Sequence, residues 1–201
     1  MNAQPAPDHD AWTAWHPAEL GSRLSSVSKP WCIVGGWALD LWHGQQTRDH
    51  EDLEFTILRT DLGVFRQALY GLDFYTAGNG IVEFLPAGTE PSAAIWQIWC
   101  LDIADRRWRV DMMIEPGTPQ TWAYKRDPRL TRSRADMVDV TPDGLAYLKP
   151  AGVLLFKAKH RRAKDEIDFA NALPKLARSE RAWLKACLER VHPGHDWIGM
   201  L

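Results

Sequence analysis

Two apolar runs enclose a glycine pair and two acidic residues within Trp31–Leu58, and this stretch constrains the fold more than any other part of the chain. The first run, Trp31–Val34, leads directly into Gly35-Gly36 and a short helical pattern. The second run begins at Asp52-Leu53-Glu54 and ends at Leu58. Side chains on a strand alternate between its faces, so we expect the two acidic residues to point the same way. The pattern predicts a strand, a tight turn into a helix, and a second strand.

These residues also indicate chemistry. Two neighbouring carboxylates repel each other unless a cation or a proton lies between them, which predicts a metal site at Asp52 and Glu54. The alternative for Asp52 is that it caps a turn after His50. Gly35 and Gly36 would let the backbone approach a phosphate at a helix N-terminus, where free N–H groups favour an anion. Their alternative is simply a tight turn.

A third carboxylate lies further along the chain. The apolar segment Arg107–Ile114 is predicted to be a strand, and strict alternation places Asp111 on the face opposite Trp108 and Val110. Burying Asp111 without a partner would be costly, so it is a third candidate cation ligand. The alternative is an ion pair with Arg107 or Arg109.

Composition excludes several classes of protein. A net charge of −2 over 201 residues argues against a general nucleic-acid binder. No apolar run approaches the roughly 20 residues that cross a bilayer, and no membrane partner is expected. The first ten residues lack a signal-peptide pattern. Three widely spaced cysteines in apolar sequence predict buried free thiols and a cytoplasmic protein.

The chain is predicted to be α/β in its first two thirds and helical in its last third. We expect a disordered segment at 1–10, a core at 11–140 and a helical C-terminal subdomain at 141–201. Residues 116–136 are predicted to be a polar connection, and Leu145–His160 to be helical, with Pro150 starting its main helix. Strands are predicted at Phe74–Thr76, Ile81–Leu85, Ile95–Leu101, Arg107–Ile114 and Val138–Val140.

The motif GGWALD, followed by Gly44, Thr47-Arg48, His50 and Asp52-Leu53-Glu54, resembles the nucleotidyltransferase superfamily, and within it the aminoglycoside 2''-adenylyltransferase group and its lincosamide-modifying relatives. The run FKAKHRRAKDEIDF is similar to a K…KD..D helix of small superfamily members. This resemblance covers most of residues 30–115 and part of 148–170.

The resemblance implies a small mixed β-sheet flanked by helices, two Mg²⁺ ions, and transfer of a nucleoside monophosphate from a nucleoside triphosphate. It implies that Asp52 and Glu54 are paired metal ligands and that Asp111 is the third. In the common family pattern the second ligand is Asp. Glu54 stands in its place, and its extra methylene moves the carboxylate by about 1 Å. We also expect Asp111 to be able to accept the proton of the attacking hydroxyl.

Three cations are candidate phosphate ligands. Arg48 could clamp a triphosphate, the alternative being an ion pair with Asp40 or Asp49. Lys157 or Lys164 could contact the β- and γ-phosphates, the alternative being a solvated helix face with i,i+4 pairs.

The predicted function is magnesium-dependent transfer of AMP from ATP to a hydroxyl of a small molecule, with an aminoglycoside-like antibiotic as the first acceptor to test. Loose candidates for an acidic acceptor pocket are Glu83, Glu90, Asp102 and Asp105. One alternative is a toxin-type enzyme acting on tRNA or protein, suggested by the basic connection Lys125, Arg126, Arg129, Arg132 and Arg134. Another is a degenerate nucleotide-binding interaction module. The sequence leaves the oligomeric state open.

Overall fold

An eight-stranded mixed sheet forms the centre of the protein, whose computed structural model describes residues 8–201. Across this sheet the strands run in the order β4-β3-β5-β6-β2-β1-β10-β9, and β7 and β8 form a separate hairpin. The strands are β1 (Trp31–Ile33), β2 (Glu54–Leu58), β3 (Leu72–Gly78), β4 (Ile81–Phe84), β5 (Gln97–Asp102), β6 (Trp108–Glu115), β7 (Thr121–Ala123), β8 (Thr131–Ser133), β9 (Val138–Val140) and β10 (Ala146–Leu148).

Seven α-helices surround the sheet in the described chain. They are α1 (Pro17–Arg23), α2 (Gly35–His43), α3 (Leu62–Ala68), α4 (Arg134–Met137), α5 (Pro150–Lys157), α6 (Ala163–Ala172) and α7 (Arg178–Val191). Local sequence explains several boundaries. Proline starts α1 and α5, and Gly44 ends α2 in the left-handed conformation with φ of 74°. The predicted α/β class with a C-terminal helical segment is confirmed.

The centre of the sheet brings the two acidic strands together. β2 and β6 run parallel, with Glu54 directly opposite Asp111, and β1 lies antiparallel to β2 on its other side. The buried face of β2 packs against α3, where the rings of Phe55 and Phe65 lie 6.1 Å apart. The opposite face carries Glu54 and Asp111 and looks toward the C-terminal helices.

A β-bulge corrects the predicted alternation in β6. Cys100 pairs with Val110 but Leu101 pairs with Trp108, so Arg109 is an extra residue on β6. The bulge moves Trp108 to the face of Asp111, where its ring lies 5.4 Å from that of Trp99. The prediction of strict side-chain alternation was therefore wrong at the N-terminal end of β6.

Other boundaries also differ from prediction. Strand β2 begins at Glu54, so Asp52 precedes the strand instead of lying on it. Residues 116–136 contain the β7–β8 hairpin and the start of α4, where only a connection was predicted. Ala146–Leu148 is strand β10, not helix, and it pairs with both β1 and β9. The main helix does begin at Pro150 as predicted.

The segment just before α1 lies against the sheet. Of the predicted disordered residues 1–10, residues 1–7 lie outside the described residues. Asp8 accepts a hydrogen bond from the indole nitrogen of Trp108 at 2.9 Å, and Ala11 accepts one from its backbone N–H at 3.0 Å. The three cysteines are free and buried, as predicted. Among residues 8–201, no helix has the length and apolar character needed to cross a membrane.

Candidate active site

Asp111 is a buried carboxylate with one unsatisfied oxygen. Its backbone N–H donates to the carbonyl of Leu53 at 2.8 Å, which fixes the strand against β2. Gln97 donates to Oδ2 at 2.8 Å, while Oδ1 is buried and has no hydrogen-bond partner among the described residues. Burial, and then the charge of Glu54, raise the pKa of Asp111 well above its usual range. Neither alternative partner, Arg107 or Arg109, forms an ion pair with it within residues 8–201, and Arg109 binds Asp102 and Asp105 instead.

Glu54 is the second member of this pair. It forms no ion pair with any described residue. Burial followed by the charge of Asp52 raises its pKa to about 7, although the more distant charges of Lys157, Arg162 and Lys164 act in the opposite direction. Asp52 is only partly buried, yet its charge raises the pKa of both Glu54 and Asp111. The three predicted carboxylates therefore influence one another electrostatically, as expected for residues that share one site.

The glycine pair makes this arrangement sterically possible. Gly35 has a φ of 66°, and a Cβ placed there would lie 1.9 Å from Oε2 of Glu54. A Cβ on Gly36 would lie 2.4 Å from both Arg48 and His50. The first turn of α2 therefore approaches the carboxylate and the following loop more closely than any other residue type allows. The N-cap, Val34, offers no side-chain hydrogen bond to the first N–H groups of α2.

The loop after α2 is held by Asp40. One oxygen of Asp40 accepts from the backbone N–H of Thr47 at 3.0 Å, and the other binds Nε2 of His50. His50 lies against Trp37, with ring centroids 4.5 Å apart, and burial lowers the pKa of its imidazole. These contacts give Asp40 and His50 structural roles.

Ion pairs engage the three predicted phosphate ligands. Arg48 donates from Nε and Nη2 to Asp168 at 3.0 and 3.1 Å, so its ion-pair partner is neither Asp40 nor Asp49. Its Nη1 donates to the backbone carbonyl of Asp49 at 2.9 Å. Buried Lys157 lies 2.8 Å from Asp168 and 3.2 Å from an oxygen of Asp165. These pairs hold α5, α6 and the loop after α2 together.

Lys164, the third predicted ligand, lies on the surface. Its amine is 3.2 Å from Glu51, a largely exposed carboxylate that precedes Asp52. The predicted solvated face is therefore what the structure shows for Lys164, although its partner comes from a distant loop.

A cavity of about 360 Å³ opens beside Glu54, between the sheet and α5. Sequence reasoning did not assign Gln97 or Lys125 to the site, and both line it. The sequence alone could not identify Gln97 as a site residue, because Gln97 reaches Asp111 only through the pairing of strands β5 and β6. Lys125 stood out only as one of five basic residues in a connection. The cavity is lined by Val34, Gly35, Glu54, Thr56, Gln97, Met113, Ile114, Glu115, Pro116, Trp122, Ala123, Lys125, Arg126, Leu148, Val153, Phe156, Lys157, His160, Arg162 and Asp165.

The chemistry of the pair suits a divalent cation. Within residues 8–201, no group of three His, Cys, Asp or Glu side chains is arranged so that it could hold a metal ion. Glu54 and Asp111 nevertheless offer hard oxygen donors with no cationic partner, and Oδ1 of Asp111 is unsatisfied. Such donors fit Mg²⁺, which prefers one or two carboxylates together with substrate phosphates.

The mixed sheet, with its acidic pair on neighbouring parallel strands, has the fold of a nucleotidyltransferase, and comparison with solved structures agrees. The chain is similar to the solution structure of the antibiotic-resistance factor ANT(2'')-Ia, with 12% identity and a TM-score of 0.55, over 86% of this chain and 89% of that one. It is also similar to the crystal structure of ANT(2'')-Ia in complex with adenylyl-2''-tobramycin, with 12% identity and a TM-score of 0.56, over 86% and 95%.

More narrowly, residues 18–79 match the family model described as aminoglycoside-2''-adenylyltransferase. The match includes Gly35, Gly36, Arg48, Asp52 and Glu54, and it ends before Asp111 and Lys125. The predicted resemblance is confirmed over residues 18–79, and the fold is similar to that of ANT(2'')-Ia over 86% of the chain. A nucleotidyltransferase-like protein from Paracoccidioides brasiliensis is 15% identical over 87% of this chain and 84% of that one, with a TM-score of 0.49. The search of curated proteins found no match.

Proposed function

We propose that this protein is a magnesium-dependent enzyme that transfers AMP from ATP to a hydroxyl group of an aminoglycoside-like small molecule. The observation that carries the proposal is the pair of half-buried Glu54 and buried Asp111, which forms no ion pair within residues 8–201 and lies beside a glycine-lined helix start. Two neighbouring carboxylates that no ion pair neutralises cost a protein stability. Their retention is explained by a ligand that carries positive charge.

Each group has a role in the proposed reaction. Glu54, Asp111 and Asp52 would hold Mg²⁺, which supplies neutralisation of the charge that develops on the phosphate oxygens. The first turn of α2 would bind a phosphate through its free N–H groups. Asp111 would accept the proton of the acceptor hydroxyl, whose oxygen forms a bond to the α-phosphorus. The bond from that phosphorus to the bridging oxygen breaks, and pyrophosphate leaves with its electron pair.

Support for the acceptor comes from the family match. The related ANT(2'')-Ia has been solved with adenylyl-2''-tobramycin, an adenylylated aminoglycoside. The predicted acidic pocket lends less support, because Asp102 and Asp105 both bind Arg109. Glu83 lies on edge strand β4, and Glu90 lines a separate groove near α3. We therefore assign the acceptor class from the family and the reaction class from the carboxylates.

The tRNA alternative is weakened by the partners of the basic connection. Arg134 binds Glu115, Arg129 binds Asp127, and Arg132 lies over Trp183. Arg126 donates to the carbonyl of Phe156 at 2.8 Å. Two of the five cations are thus neutralised by carboxylates and two more are held by a carbonyl or a ring, which reduces the charge that is available to bind a polyanion.

The test is pyrophosphate release from each nucleoside triphosphate with Mg²⁺ and a panel of aminoglycosides, lincosamides and tRNA. We expect acceptor-dependent release that falls at least a hundredfold in Asp111→Asn and Glu54→Gln. Asp139→Asn, an exposed carboxylate on β9, is the matched control and should retain full activity. ATP binding without release under any condition would instead favour the interaction module, and release driven only by tRNA would favour the toxin.

A further inference from the structure

One cation on the cavity wall differs from its neighbours. Lys157 binds Asp165 and Asp168, and Arg162 lies 2.9 Å from Asp165. Arg126 donates to the carbonyl of Phe156 and to the hydroxyl of Tyr124. In the described chain Lys125 has no hydrogen bond and no ion pair, and its ammonium instead lies 5.1 Å from the ring centroid of Trp96.

The fold fixes the backbone that carries Lys125. The preceding residue, Tyr124, is fully buried, and its backbone N–H donates to the carbonyl of Leu130 at 2.9 Å. Its hydroxyl donates to the carbonyl of Leu155 on α5 at 3.4 Å. The amine of Lys125 is thus presented to the cavity from an anchored position at the end of β7, not from a free loop.

The surroundings of Lys125 disfavour its charge. Burial, followed by the charges of Arg126 and Lys159, lowers the pKa of its amine to about 8, while Asp111 acts in the opposite direction. A half-buried ammonium beside other cations is stabilised when an anion enters the cavity. The acceptor proposed above is itself cationic and cannot supply that anion.

We propose that Lys125 binds the phosphate groups of the nucleotide, including the pyrophosphate that leaves. The identity of the ligand as a nucleotide rests on the proposed function. That the ligand is an anion rests on the geometry of the cavity. This assignment transfers the role predicted for Lys157 or Lys164 to a residue outside the matched family region. Lys157 has two carboxylate partners and Lys164 pairs with Glu51, whereas Lys125 faces the cavity and forms no ion pair with residues 8–201.

The test measures binding of inorganic pyrophosphate, ATP and adenosine by titration calorimetry in the presence of Mg²⁺. Lys125→Met keeps the length of the side chain and removes its charge. We expect it to weaken pyrophosphate and ATP binding by roughly ten- to a hundredfold, the usual range for a hydrogen bond to a charged group, and to leave adenosine binding unchanged. Lys125→Arg should restore most of the loss. Lys185→Met on α7, away from the cavity, is the control and should bind all three ligands normally.

A second measurement does not need a variant. Pyrophosphate binding by the unaltered protein should weaken as pH rises through 8, and Lys125→Arg should remove that dependence. The charged groups that act on the amine are Arg126, Lys159 and Asp111.

The outcomes separate this assignment from the proposed function. Acceptor-dependent release with equal pyrophosphate affinity in Lys125→Met would overturn the assignment and leave the transferase intact. Lys125-dependent pyrophosphate binding without release from ATP would support the anion site and overturn the transferase. A protein that binds neither pyrophosphate nor ATP would overturn both.

Discussion

Arg48 and Asp168, which stand 120 residues apart in the chain, form a two-pronged ion pair with nitrogen–oxygen distances of 3.0 and 3.1 Å. The pair joins the loop that leads to Asp52 with helix α6. Lys157 approaches the same carboxylate from α5 at 2.8 Å. The loop beside the acidic pair is therefore positioned by the C-terminal part of the chain.

Replacing Arg48 with Met should destabilise the protein by about 1–3 kcal/mol, because it leaves a buried carboxylate with one fewer cationic partner. Urea unfolding measures this as a lower midpoint. Glu19→Gln, which breaks an exposed i,i+4 pair with Arg23, is the comparison and should change stability by less than about 0.5 kcal/mol. Equal midpoints for Arg48→Met and the unaltered protein would contradict a structural role for Arg48.

Replacing Glu54 with Gln should stabilise the protein at pH 8 without divalent cations while abolishing activity. The pKa of Glu54 is raised from 4.5 to about 7, so the folded protein loses stability as pH rises through that interval. Gln removes the loss, a gain on the order of 3 kcal/mol. Thermal unfolding should show this gain at pH 8 and none at pH 4, and Mg²⁺ should raise the Tm of the unaltered protein more than that of the variant. A lower Tm at pH 8 would refute the idea of an uncompensated pair.

Gly35→Ala should abolish transfer and destabilise the fold, because the new Cβ would overlap Oε2 of Glu54 at a φ of 66°. Gly44→Ala is a matched control, since Gly44 has a φ of 74° but nothing lies within 4 Å of its Cβ position. The control should lose only about 1–2 kcal/mol from backbone strain and keep its activity. Pyrophosphate release and thermal unfolding distinguish the two variants. Similar activity in both would show that the close approach to Glu54 is not needed.

Acid should weaken the ion-pair network at α6. Although burial opposes the shift, hydrogen bonds from Arg48 and Lys157 lower the pKa of Asp168, and Arg162 has the same effect on the pKa of Asp165. Lowered pKa values contribute stability above the ordinary value of 3.8, and this contribution is lost as pH falls below it. Unfolding free energies from pH 5 to pH 2.5 should therefore fall less steeply in Asp168→Asn than in the unaltered protein. If the unfolding free energy fell equally steeply with pH in both proteins, Asp168 would not contribute to the acid sensitivity.

The local part of the site could be predicted from the sequence. A strand, a glycine turn, a helix and a second strand with acidic residues all lie within 28 residues, where period and turn chemistry are informative. The third carboxylate could be predicted because Asp111 interrupts an apolar strand. Both inferences needed only neighbouring residues.

Long-range pairing could not be predicted. Asp168 as the partner of Arg48, and the absence of any such partner for Lys125, depend on how distant elements pack. The bulge at Arg109 moved Trp108 to the other face because pairing with β5 overrode simple alternation. Leu145 and Leu148 have helical spacing, yet Ala146–Leu148 forms strand β10, which occupies the position between β1 and β9 in the sheet.

Strand β10 is synthesised long after its partner β1, and this delay affects how the nascent chain behaves. It forms a parallel pair with β1, which lies more than 100 residues earlier, and it separates β1 from β9. Until a ribosome has extruded residue 148, β1 exposes unpaired amides along one side, and an unprotected strand of this kind can recruit another chain. Nascent molecules truncated before β10 should therefore self-associate, so the aggregation risk during translation lies at β1, next to Gly35 and Gly36.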